Sequence, residues 1–139
     1  MSLQVWLPLN KEGNFYNQGL ADITITNNGA TYDANGKIGG CYKTNRNNIT
    51  FPSLSCMEMK HGKSFSLFNW VKGTTTGWLY ACTAFELRMC PNFIQVHNGG
   101  SGSNYAARYN NTFDTNVWYH LGFTWDGENN ILKLYLNGI

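Results

Sequence analysis

The chain closes with WYHLGFTWDGENNILKLYLNGI, and this stretch constrains the fold more than any other. Two runs with a strict period of two flank a polar turn. Tyr119, Leu121, Phe123 and Trp125 fall on one side of the first run, and Leu132, Leu134 and Leu136 supply a matching apolar side in the second. Trp118, His120, Thr124, Lys133 and Tyr135 fall on the other. Alternation of this kind suits a pleated strand, whose successive side chains point to opposite faces, and does not suit the 3.6-residue period of a helix. Asp126-Gly127 opens the turn, where glycine tolerates positive φ. An antiparallel pair with one apolar face needs a second layer to cover that face.

The same signal recurs along the chain. LQVWLPL reads as a strand with Pro8 near its end, and ADITITNNGATYD sets Ile23 and Ile25 against Thr24 and Thr26 before turning at Asn28-Gly29. KIGGCYKTN and NNITFPS read as short strands around a polar corner. KSFSLFNWVKG places Phe65, Leu67, Asn69 and Val71 on one face and Phe68 and Trp70 on the other, so both faces are expected to be covered. GWLYACT, FELRMC and NFIQVHN read as a meander, and YAARYN as a weaker strand. No helical pattern, internal repeat or second domain stands out. Strands spaced every ~8–12 residues with turns between them predict a sandwich or jelly roll over residues 1–139.

Composition agrees with this reading. Charged residues are 13% of the 139, against a usual share of about 25%, while aromatics reach 15%. Asn, Thr, Ser and Gly fill the polar positions, and these favour strands and turns over helices. The net charge of +2, with Lys and Arg scattered, gives no electrostatic footprint for nucleic acid or for an anionic membrane. No apolar run approaches the ~20 residues needed to span a bilayer. MSLQVWLPLN lacks the charged start and apolar core of a signal peptide. Cys41, Cys56, Cys82 and Cys90 show no Cys-x-x-Cys spacing and are expected as free thiols. If a bridge forms, Cys82 with Cys90 is the pair, since they flank a predicted hairpin.

Catalytic patterns are missing. Two carboxylates must share a strand face to flank a glycosidic bond, yet Glu58, Glu86 and Glu128 each stand alone. Glu86 and Arg88 share a face and read as a surface ion pair. No Gly-x-Ser-x-Gly, His-Glu-x-x-His or recognisable Cys-His spacing occurs. HNGGSGSN is glycine-rich but lacks a lysine and a following helix, so it is not read as a phosphate cradle. Asp22, Asp33, Asp114 and Asp126 sit in turn regions and read as turn chemistry. The three histidines are dispersed, which argues against zinc, and His120 reads as structural.

Sugar recognition asks for aromatic faces against C–H surfaces, with amides or Arg on the hydroxyls. Trp78, Tyr80, Arg88, His97, Asn98, Tyr105, Arg108 and Tyr109 meet that need, on the middle strands and the loops beside them. Trp6, Trp70, Trp118 and Trp125 are read instead as core or edge packing.

Four stretches in order, VWLPLN, NGKIGGCYKTNRNNITFPS, FSLFNWVKG and WYHLGFTWDG with LKLYLNG, resemble the concanavalin A-like lectin/glucanase superfamily in its laminin G-like branch. The resemblance spans nearly the whole chain. It implies a jelly-roll sandwich of two curved antiparallel sheets, with strands beyond the final Asn-Gly missing. It also implies an unpaired edge beside VWLPLN, to be covered by self-association or a partner strand. Many members bind calcium at the polar corner. Here Asn45 and Asn47 stand where an Asp is expected, so calcium is a weak prospect and no cofactor is expected. The function expected is that of a non-catalytic carbohydrate-binding module on an exported or virion-surface protein. The alternative is a structural, adhesion or protein-interaction domain with no sugar ligand. A glycoside hydrolase fragment ranks third, because the paired carboxylates are lacking.

Overall fold

A computed structural model describes residues 2–73, 78–99 and 105–139, with Tyr105 described by its backbone alone. Regular structure among the described residues is all β-strand. The chain forms two compact units, Met1–Pro52 and Ser53–Ile139.

The first unit carries four three-residue strands: β1 (Thr26–Asn28), β2 (Thr31–Asp33), β3 (Cys41–Lys43) and β4 (Asn48–Thr50). The turn expected at Asn28-Gly29 does not form: Gly29, at φ +91, lies between β1 and β2, and the register shows the chain reversing between β2 and β3 instead. β2 pairs with β3 while β1 pairs with β4, so one pair is nested inside the other. The polar corner between β3 and β4 turns through Asn45 and Arg46, both at positive φ. Ile25 and Ala30 are buried and Thr24 and Thr26 exposed, which follows the predicted alternation.

LQVWLPL is not a strand. Pro8 offers no backbone donor and Leu9 sits at φ +50, which breaks an extended run. The Asn17 side chain occupies the place of a neighbouring strand. Its Oδ1 accepts from the Trp6 and Gly19 amides, at 2.7 and 2.9 Å, and its Nδ2 donates to the Gln4 and Ala21 carbonyls, at 2.9 and 2.7 Å. Backbone bonds from Gln18, Leu20 and Ala21 to Trp6, Leu3 and Gln4 complete the contact. Within VWLPLN these bonds engage the Trp6 amide and carbonyl, and no residue of the stretch belongs to a strand. Trp6 is exposed rather than packed as the sequence suggested.

The second unit holds β5 (Phe65–Lys72), β6 (Tyr80–Ala81), β7 (Phe85–Cys90), β8 (Phe93–Asn98), β9 (Tyr105–Asn110), β10 (Trp118–Asp126) and β11 (Ile131–Leu136). One sheet runs β11-β10-β5 and the other β6-β7-β8-β9, antiparallel throughout. The closing hairpin takes the register its alternation demands, with Leu121, Phe123 and Trp125 opposite Leu136, Leu134 and Leu132. The two sheets stack face to face. Phe85 of β7 meets Phe65 of β5 at 5.4 Å and Phe123 of β10 at 5.1 Å between ring centres. Leu87, Met89, Ile94, Val96 and Leu121 close the core around them. At roughly 1.5–3 kcal/mol for each large apolar side chain buried, this layer dominates the unit's stability. Trp125 joins it, its Nε1 donating to the Lys60 carbonyl at 3.1 Å.

One expectation needs correction here. The outer face of β5 is open, with Phe68 44% and Trp70 39% exposed. Phe68 lies over Gly122, where a Cβ would overlap both its ring and the Leu67 carbonyl, and it stacks on His120 at 5.6 Å. As the alternation predicted, Asn69 stands on the core side between Leu67 and Val71, its Oδ1 without a hydrogen-bond partner among the described residues. Cys82 and Cys90 are thiols, as expected. Cys82 bonds to the Phe85 carbonyl through both its amide and its thiol, while Cys90 lies five residues along β7, ~17 Å away at the strand rise. No disulfide spans that distance.

Candidate functional site

Parity along β7 and β8 builds a second face opposite the core. Phe85, Leu87 and Met89 point into the sandwich, so Glu86 and Arg88 point out. Register places Glu86 opposite His97 and Arg88 opposite Gln95, with Arg108 of β9 on the far side of Gln95. A bulge between Val96 and His97, where Ala106 is the extra residue of β9, resets the pairing at the strand's start.

Trp78 caps this face. The segment before β6 is tied down by the Leu79 amide donating to the Leu87 carbonyl, at 2.8 Å. The indole stands edge-on to the His97 ring at 5.3 Å and 86°. The Arg88 guanidinium lies over the indole at 4.7 Å from its centroid and reaches Phe93 at 5.9 Å. Arg108 covers Phe93 at 3.8 Å, and its Nε donates to Asn110 Oδ1 at 2.9 Å. Beneath them an amide N–H of Gln95 donates to His97 Nε2 at 2.5 Å. Glu86, Gln95 and His97 are 7%, 4% and 7% exposed, whereas Trp78 is 40% exposed. Glu86 is therefore a buried carboxylate rather than a surface one.

The result is an open indole beside fixed polar edges. Cation–π contacts worth about 0.5–1 kcal/mol each, at partly exposed sites, hold the guanidinium planes over the rings. Such a surface can take an apolar C–H face on Trp78 and hydrogen-bonding groups at its margin.

Of the residues chosen from sequence, Trp78, Arg88, His97 and Arg108 come together here. Tyr80 pairs with Leu87 and so turns to the core side, where burial pushes its hydroxyl up to about 12. Tyr109 pairs with Ile94 and takes that side too, exposed at the edge strand. Asn98 pairs with Phe85 at the end of β8 and lines a separate cleft of about 220 Å³ with Glu58, Met59 and Thr83. The Tyr105 side chain and residues 100–104 of the glycine-rich loop lie outside the described residues. Glu86, Gln95 and Phe93 were not chosen. Cross-strand counting from Arg88 and His97 would have found the first two, but it requires the β7–β8 register.

Metal chemistry finds no cluster of three or more His, Cys, Asp or Glu among the described residues. At the corner where calcium was considered, the Asn47 amide donates to the Gly29 carbonyl at 2.7 Å. Compared with family models, curated proteins and solved structures, the chain matches none.

Proposed function

We infer that this chain is a non-catalytic carbohydrate-binding module with a laminin G-like jelly roll, belonging to an exported or virion-surface protein. One observation carries the reading: the exposed Trp78 indole is braced by Arg88 and His97 over a polar layer of Glu86 and Gln95. An aromatic face flanked by positioned donors and acceptors is what a pyranose ring requires. A glycan array tests it, with Trp78→Ala and Arg88→Ala expected to abolish or strongly reduce a specific signal. Tyr80→Phe, which acts on the core side, is expected to leave that signal in place. Absence of any specific glycan signal from the folded wild-type chain counts against the reading.

A second reading is favoured by a different observation. The outer face of β5 and β10 exposes Phe68 and Trp70 around His120, a surface suited to another protein chain. Size-exclusion chromatography with light scattering separates the two. An oligomer broken by Trp70→Ser, with no glycan bound, supports the structural role.

A further inference from the structure

The first unit contains an open cleft of about 410 Å³, within the range of small-ligand pockets. We propose that it binds a compact organic cation, an ammonium or quaternary ammonium head group, against the ring faces of Phe15, Tyr32 and Tyr42 and beside the Glu12 carboxylate. This site is independent of the Trp78 surface.

The rings are held as a fixed wall. Phe15 and Tyr42 meet at 4.8 Å and 57°, Tyr32 and Tyr42 at 5.6 Å and 61°. Tyr32 is seated where Gly40 has no side chain, since a Cβ there would overlap its ring. Tyr42 is locked at its hydroxyl, which accepts from the Gly13 amide at 2.8 Å and donates to the Lys11 carbonyl at 3.3 Å.

Those same bonds select the ligand. Three polar side chains of the cleft, Asn27, Tyr32 and Tyr42, are engaged inside the protein. Both ends of the Asn27 amide bond to the Ala30 backbone, at 2.9 and 2.7 Å. The Tyr32 hydroxyl reaches the Asn10 carbonyl at 3.5 Å. A polyhydroxylated ligand would find few hydroxyl partners here. A quaternary ammonium needs none, because ring quadrupoles and a nearby anion attract it directly. Glu12 is the one charged side chain lining the cleft among the described residues. The neighbouring Lys43–Asp33 ion pair sits on the opposite face of β2 and β3 from Tyr32 and Tyr42, by strand parity.

Amide-detected NMR titration of the full chain tests this with choline and its uncharged carbon isostere, 3,3-dimethylbutan-1-ol. Choline is expected to shift the signals of Glu12, Gly13, Tyr32 and Tyr42 saturably, and the isostere to bind about fivefold or more weakly. Glu12→Gln, an exposed change, should weaken choline about three- to tenfold and bring the two probes together. Phe15→Leu should weaken choline while the rest of the spectrum stays folded. Equal binding of the isostere, saturable shifts mapping elsewhere, or no saturable shift up to about 100 mM choline overturns the proposal.

Discussion

In Ser53–Ile139 most strands run six to nine residues and the backbone groups are satisfied in long ladders over an apolar core. In Met1–Pro52 the strands are three residues each, and asparagine side chains complete much of the pairing. Asn17 bridges four backbone groups, Asn27 takes both backbone groups of Ala30, and Asn47 donates to the Gly29 carbonyl. The difference teaches that a low-charge, asparagine-rich sequence can order a segment without a large apolar interior. It also means that the two units should fail differently.

The largest expected effect comes from the apolar layer. Phe123→Ala removes a ring that meets both Phe65 and Phe85, and should lower unfolding stability by about 3–5 kcal/mol in a denaturant titration. A loss below 1 kcal/mol would show that the sandwich does not depend on this layer. Next is Tyr80, whose hydroxyl is raised by burial from 10.0 to about 12. The neutral form is favoured in the folded state, so this contribution is intact below pH 10 and is lost as pH rises through about 12. A fall on the order of 2 kcal/mol across that window is expected, and Tyr80→Phe should remove it.

Asn17→Ala probes the first unit. It frees two backbone donors and two acceptors at once and should cost about 1–3 kcal/mol, with faster amide exchange at Trp6 and Gly19. If exchange there is unchanged, the side chain is not what holds the segment. The smallest effect is electrostatic. Lys43 and then Asn35 hold the Asp33 carboxyl down to about 2. That contribution is present above 3.8 and is lost as pH falls through about 2. Lys43, raised above 10.5 by Asp33, acts in the opposite direction at high pH. Asp33→Asn should shift the melting temperature only slightly, and less still in about 1 M salt.

These contrasts also explain what could be read in advance. Alternation in the closing hairpin revealed β10, β11 and their apolar faces, because one slipped residue would turn Phe123 and Leu134 out of the core. The β6–β9 meander was legible for the same reason. VWLPLN misled because its residues favour a strand while Trp6 is bonded by the Asn17 side chain and the Gln18 amide of an irregular segment. The exposed Phe68–Trp70 face was read as covered, since aromatic residues on both sides of a strand usually signal burial. Within the candidate site, Trp78, Arg88 and His97 were visible as residue types. The turn of Tyr80 and Tyr109 toward the core side was not, because it depends on cross-strand register that local periodicity does not carry.

Asn69 carries a consequence for engineering. Its lone carbonyl oxygen amid Leu67, Val71 and Leu121 is a polar island in a greasy sheet, so the sandwich sits below its attainable stability. Replacing it with valine removes the unmet acceptor and adds a β-branched residue suited to a strand, which should raise the melting temperature of the whole chain.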